Sequence, residues 1–311
     1  MKLAKNLERL GTESAFTVLA EAKKIEATGK PMIYLGLGQP DFKTPKHIVD
    51  AAKKALDDGH HGYVLSNGIL ECRQAVTRKI KKLYNKDVDP ERVLIMPGGK
   101  PTMYYAIQCF GEPGAEIIHP TPAFPIYESM INYTGSTAVP YDLTEDKDLK
   151  FNAKKILSLI TEKTRLLILI NPNNPTGSFV DKSEIDKLAE GLKKYPHVVI
   201  LSDEIYSRQI FDGKEMPTFF NYPELQDRLI VLDGWSIPKL RIRCCCNGRQ
   251  QRKGPMTKRS GWSCARWLWE CRIGRVRWVG LTRLFSWRTA VNARSERRCF
   301  SYRRGPRGRK T

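Results

Sequence analysis

Two short runs decide what this chain can fold into. Residues 166–170 (Leu-Leu-Ile-Leu-Ile) and 198–201 (Val-Val-Ile-Leu) are apolar at every position, so neither can turn one side to water. A strand of that kind is covered on both faces, as in a parallel sheet flanked by helices. Shorter apolar runs stand at 93–96, 115–118 and 229–232. Between the runs lie segments with apolar residues at helical spacing. One covers residues 12–28 and is ended by Gly29; another carries Ile48, Ala51, Ala52 and Ala55 as a buried stripe behind a Thr44-Pro45 start. Three more carry Ile69, Cys72, Val76, Ile80 and Leu83, then Met103, Ala106, Ile107 and Phe110, then Ile185, Leu188, Ala189 and Leu192 in a segment opened by Ser183-x-x-Asp186, which resembles a capping box. Strands alternating with amphipathic helices predict an α/β architecture with helices on both faces of the sheet.

In such a sheet, ligands bind beyond the carboxyl ends of the strands, so the residues that follow each run are the candidates for chemistry. The run 198–201 passes into Ser202-Asp203-Glu204-Ile205-Tyr206, which brings Asp203 to the crevice edge. The run 166–170 breaks into Asn171-Pro172-Asn173-Asn174-Pro175-Thr176-Gly177, a rigid polar turn. The run 93–96 enters Pro97-Gly98-Gly99-Lys100 ahead of a helix, an arrangement whose backbone N–H groups and helix dipole favour an anion. The run 115–118 leads to Phe124, which can stack on a flat ligand, and 229–232 leads to Asp233-Gly234-Trp235-Ser236. Gly36 and Gly38 permit close backbone approach, and Tyr63 lies in an irregular link. Taken singly, each has an ordinary structural explanation: a capping acid, a core aromatic, a turn glycine.

The formal net charge of +20 is not spread along the chain. Residues 1–236 carry 31 Lys+Arg and 31 Asp+Glu; residues 237–311 carry 22 Lys+Arg, 18 of them Arg, against Glu270 and Glu296. Cysteine divides likewise, with Cys72 and Cys109 in the first region and six in the second. Two scattered cysteines, no apolar leader at the amino terminus and no run near the length of a membrane span predict a soluble cytoplasmic body without disulfides.

The order and spacing of Asn171-Pro-x-Asn-Pro-Thr-Gly177, Ser202-Asp-Glu-Ile-Tyr206 and Asp233-Gly-Trp-Ser236 resemble the class I/II aminotransferases, pyridoxal-phosphate enzymes of fold type I, over about residues 10–236. The resemblance implies a three-layer αβα sandwich with a mostly parallel sheet. It divides the chain into an arm with part of a small domain (1–44), an incomplete cofactor-binding large domain (45–236) and a tail (237–311). It implies pyridoxal 5'-phosphate as cofactor, an amino acid and a 2-oxo acid as substrates, and a homodimer with shared sites. Asp203 matches the carboxylate that pairs with the cofactor ring nitrogen. Asn174 and Tyr206 match the partners of the ring 3-oxygen, Phe124 the stacked aromatic, and Gly98, Gly99 and Lys100 the phosphate turn. Tyr63 matches a tyrosine reaching the neighbouring subunit's phosphate, and Gly38 the glycine at the substrate carboxylate. A lyase or decarboxylase on the same scaffold shares all of these residues.

The resemblance ends abruptly. The family continues Gly-Trp-Ser with the lysine that bonds to the cofactor; here the position is Ile237, and Lys239 follows a proline two places later. The family's phosphate arginine and substrate-clamping arginine have no match in 237–311. Arg, Cys, Trp, Gly and Ser supply 41 of those 75 residues, a bias that an out-of-frame translation of a guanine-rich gene accounts for. The competing reading is a basic tail in which arginines contact phosphates and Trp262, Trp267, Trp269, Trp278 and Trp287 stack on nucleic-acid bases. No metal-ligand spacing is present there, since the tail lacks histidine and Cys-x-x-Cys. In the family, an antiparallel strand after the lysine lies between the strands matched by 93–96 and 229–232. Its only local candidate, 275–279, alternates with arginines, so the expectation is an irregular tail, two strands without their shared neighbour and an unstable chain.

Overall fold

The structure, a computed structural model, describes residues 3–11, 14–34, 36, 38, 43–143 and 149–234. Its elements in chain order are α1 (Ser14–Glu26), α2 (Lys46–Asp57), α3 (Leu70–Tyr84), α4 (Gly99–Phe110), β1 (Glu116–Thr121), α5 (Ile126–Thr134), β2 (Thr137–Asp142), α6 (Ala153–Ser158), β3 (Thr164–Ile170), α7 (Lys182–Leu192), β4 (Val199–Asp203) and β5 (Leu229–Leu232). The five strands form one sheet in the order β2-β1-β3-β4-β5. Every neighbouring pair runs parallel, with Ile170 opposite Asp203 and Asp203 opposite Leu232 at the carboxyl ends.

The core divides by residue parity, as the pleat requires. Ile117, Leu166, Ile168, Ile170, Leu201 and Leu232 pack with Met103, Ala106 and Ile107 of α4 and Tyr127, Met130 and Ile131 of α5. Their neighbours Ile118, Leu167, Leu169 and Ile200 turn to the opposite face, against Ile156 of α6 and Ile185, Leu188, Ala189 and Leu192 of α7. These are the three layers expected of the sandwich, and the two all-apolar runs supply β3 and β4, two of its three interior strands.

Several expectations need correction. The run 93–96 belongs to no strand. The Ile95 amide donates to the Asn67 carbonyl at 3.1 Å, and Leu94 is 59% exposed. Among the described residues nothing pairs with the outer side of β5, so this run has no ladder to join. Residues 275–279 and the rest of the expected irregular tail lie outside the described residues. The strand β2 had no signal in the sequence: Pro140 interrupts it, which an edge strand tolerates because one side needs no ladder bonds, and among the described residues β2 pairs only with β1. The run 115–118 is one residue early and three short of β1.

The helices in the first part of the chain are present, but the stripes assigned to them are not buried. In α2, Ile48, Ala52 and Ala55 are half-buried and Ala51 is exposed. In α3, Ile69 before the helix and Leu83 are exposed, and the single buried residue is Arg73. Its guanidinium donates to the carbonyls of Gly68 and Pro90 and pairs with Glu91 at 2.7 Å, so α3 packs on the 90–92 turn rather than on the sheet. Pro45, not Thr44, precedes α2, and Asp181, not Ser183, precedes α7.

Candidate active site

The carboxyl ends of β3, β4 and β5 and the amino end of α4 carry the polar residues singled out in the sequence. Asp203, the last residue of β4, is 3% exposed. Its Oδ2 accepts from the Tyr127 hydroxyl at 2.6 Å and its Oδ1 from the Ile205 amide at 3.1 Å. Burial pushes the Asp203 carboxyl up to about 6 and the charge of Asp233 adds to the rise, while the two donors oppose it. A buried carboxylate with donors on both oxygens can still accept from a ligand, since each oxygen has a second lone pair.

Tyr206 follows in the turn after β4. Its hydroxyl accepts from Asn174 Nδ2 at 3.1 Å, which joins the β4 turn to the asparagine-proline turn after β3. Burial, and next the charge of Asp203, push the Tyr206 hydroxyl above its usual range. The same turn buries the Nδ2 atoms of Asn171 and Asn173 with no protein acceptor among the described residues. Their carbonyl oxygens are engaged: Asn171 Oδ1 accepts from the Val180 amide and Asn173 Oδ1 from the Thr176 hydroxyl.

Gly98 stands at φ +111°, a conformation an L residue rarely adopts, and α4 begins at the next residue. A Cβ built on Gly98 would meet nothing within 4 Å, so the glycine is required by its backbone and leaves the helix end open. Lys100 Nζ lies 5.7 Å from the centroid of the half-buried Phe124 ring. Lys100 also lines a cavity of about 500 Å³ with Leu10, Tyr104, Tyr105, Ile126 and Met130, on the outer side of α4 and α5 rather than at Asp203. Two candidates stand apart from this group. Tyr63 is fully exposed, and Gly38 is exposed with no atom within 4 Å of its built Cβ. Ile237 lies outside the described residues.

The end of β5 is anchored by charge. Asp233 Oδ2 accepts from Lys79 of α3 at 2.7 Å and from Arg208 at 2.9 Å. Beside it Gly234 lets the Ile205 side chain approach, since a Cβ there would lie 2.6 Å from Ile205 Cδ1.

Sequence reasoning missed two residues. Tyr127 is one aromatic among many, and no local spacing ties it to an acid 76 positions away. In the sequence Glu204 stands out only as the neighbour of Asp203. It is 2% exposed, accepts from the hydroxyls of Ser202 and Thr218 at 3.0 Å each, and is pushed up to about 7 by burial from its usual 4.5. Below about pH 4.5 the acid keeps its proton in both folded and unfolded chain. Between about 4.5 and 7 the unfolded chain releases it and the folded chain holds it, so this group lowers stability as pH rises through that window. The slope is about 1 kcal/mol per pH unit. Glu204→Gln has no proton to lose and should gain on the parent chain from pH 5 to pH 7.5 in urea unfolding; a constant gap between the two would contradict this assignment.

A family model described as aminotransferase class I and II matches residues 30–236. The chain belongs to this family. Similar members of the family include the aspartate aminotransferase of Bacillus subtilis, 31% identical over 237 residues, and a probable aspartate aminotransferase of Methanocaldococcus jannaschii, 37% identical over 204. The matches cover 76% and 66% of this chain and 60% and 52% of those proteins. The chain therefore spans between about half and three fifths of these aminotransferases' length. Among solved aminotransferases, the aspartate enzyme of Rhizobium meliloti superposes with a TM-score of 0.72 at 28% identity, covering 75% of this chain and 59% of the other. The Thermus thermophilus aspartate aminotransferase with maleate gives 0.70 at 26% identity, covering 75% and 60%.

Proposed function

We propose that this chain binds pyridoxal 5'-phosphate at the carboxyl edge of its sheet and that the scaffold serves amino-group transfer between an amino acid and a 2-oxo acid. The observation that carries the reading is the donor set. A buried acidic acceptor (Asp203), a hydroxyl–amide pair (Tyr206 and Asn174), a half-buried ring (Phe124) and an open helix amino end (Gly98 and Gly99) are brought to one edge. These suit, in turn, a protonated ring nitrogen, a ring oxygen, a flat heterocycle and a phosphate. The unpartnered Asn171 and Asn173 amides at the same turn add donors that a polar ligand would satisfy.

When bound, the cofactor supplies an electron sink for the substrate's Cα. The chain's own residues bind and orient. Asp203 holds a proton on the ring nitrogen by charge, while Asn174 and Tyr206 fix the ring's rotation. Phe124 covers one ring face and excludes water, and the α4 amides with Lys100 hold the phosphate. Gly38 is assigned to the substrate carboxylate. Tyr63, projecting into solvent, is assigned to the phosphate of a second copy, so the working form is a homodimer, and the compartment is the cytoplasm. Among the described residues no helix is long and apolar enough to cross a membrane.

The reading is tested by titrating pyridoxal phosphate into the full chain and following protein fluorescence. Saturable binding of one molecule per chain, reversed by dialysis, is expected; no saturable binding at millimolar cofactor would overturn it.

A further inference from the structure

Asp203 receives its two hydrogen bonds from different sources. The Ile205 amide is local and would serve any acceptor at position 203. The Tyr127 hydroxyl arrives from the first turn of α5, on the layer that covers the sheet. The Tyr127 ring is wholly buried, packed with Met103, Ile107, Met130 and Ile131 and with Ile168 and Leu201 of the sheet. Core packing, not the hydrogen bond, thus sets where the hydroxyl sits. A buried tyrosine hydroxyl needs a partner, and at 2.6 Å its bond to Asp203 Oδ2 has the length of a charge-assisted one.

We propose that Tyr127 is a positioning residue: its hydroxyl, held by the core, fixes the Asp203 carboxylate in one plane and in its ionised form, ready for a ligand's protonated ring nitrogen. The inference rests on the assignment of Asp203 made under Proposed function. The other titratable groups bearing on Asp203 are Tyr206, beyond β4, and Asp233, beyond β5, whose charge opposes ionisation. The Glu204 carboxylate is turned to Ser202 and Thr218. Of the titratable side chains, Tyr127 alone donates to Asp203 among the described residues. Removing its hydroxyl makes the carboxylate harder to ionise and leaves Oδ2 without that donor.

The variant is Tyr127→Phe, which keeps the buried ring, and two measurements on the full chain separate the possibilities. In the first, without ligand, infrared difference spectra of the carboxyl stretch, identified by subtraction of Asp203→Asn, follow the titration of Asp203. Tyr127→Phe should raise the midpoint by about one pH unit; an unmoved midpoint overturns the proposal. In the second, pyridoxal phosphate and its analogue with C–H in place of the ring nitrogen are titrated at pH 7. Tyr127→Phe should weaken pyridoxal phosphate about tenfold, leave the analogue unchanged, and have no further effect in an Asp203→Asn background. Equal losses for both ligands, or a loss that persists without the carboxylate, would mean only damaged packing and overturn the proposal. A raised midpoint with no pyridoxal phosphate binding in any chain would support the hold of Tyr127 on the carboxylate and sink the cofactor assignment.

Discussion

Asp203→Asn is expected to weaken pyridoxal phosphate binding by about two orders of magnitude. The side chain is 3% exposed and cannot exchange a lost ion pair for water. Truncating one partner of a buried, hydrogen-bonded charge pair costs roughly 2–5 kcal/mol, and about 3 kcal/mol corresponds to a hundredfold. The asparagine keeps the volume and one carbonyl oxygen, so Tyr127 or Ile205 retains an acceptor and the fold should survive. The pH dependence gives a second signature. Because the Asp203 carboxyl sits at about 6, binding to the parent chain should weaken as pH falls through about 6, whereas the asparagine variant should be flat there. Equilibrium dialysis between pH 5 and pH 8 measures both effects. A loss smaller than threefold at pH 7.5 would show that the carboxylate does not meet the ring nitrogen.

The second large effect concerns turnover. Amino transfer needs an amine that bonds to the cofactor and then moves the substrate's α-proton, and position 237 offers isoleucine. Loss of the general base alone is worth about 10²–10⁴ in rate, and loss of the nucleophile adds to it. The chain is therefore expected to give no amino transfer above background. Ile237→Lys alone should not restore it, because the phosphate arginine and the substrate-clamping arginine have no match in 237–311. Borohydride reduction in the presence of pyridoxal phosphate, followed by mass mapping, tests for a substitute lysine. Lys239 is close in sequence, and Lys100, over the Phe124 ring, adjoins Gly98 and Gly99. A pyridoxyl label at either, accompanied by amino transfer, would overturn this expectation, as would full rescue by Ile237→Lys.

How far the sequence could be read depended on where the physical constraint lay. Strands β3 and β4 were legible because burial leaves little choice of residue: Leu166 to Ile170 cannot face water on either side; β5 was legible from its apolar run although three of its four residues are only half-buried. The positions of Asp203, Asn174 and Tyr206 were legible because Asp203 ends such a strand and the other two sit in the short turn directly after one, so chain order nearly fixes their place in space. The run 93–96 misled because its apolar residues state a preference for a strand but cannot supply a neighbour. Strand β2 was hidden because Pro140 and the exposed Thr137 and Asp142 remove the buried-strand pattern, as an edge permits. Helix α5 went unread because nine residues between Pro125 and Gly135 give few turns of periodicity. Tyr127 was beyond reach for a different reason: what matters about it is a contact across 76 residues, and no window of sequence contains both partners.

The packing of α4 against α5 carries one more implication. Met103 and Ile107, in the helix that begins at the Gly98 turn, share a cluster with Tyr127, whose hydroxyl reaches Asp203. The Gly98 turn and Asp203 are therefore hung from the same block of close-packed side chains. The distance between them acts as a caliper whose opening is set by the core, and under the proposed cofactor binding it must match the span from phosphate to ring nitrogen. A methylene added or removed at Met103, Ile107 or Ile131 touches no ligand, yet it would reset the gap that a ligand must span.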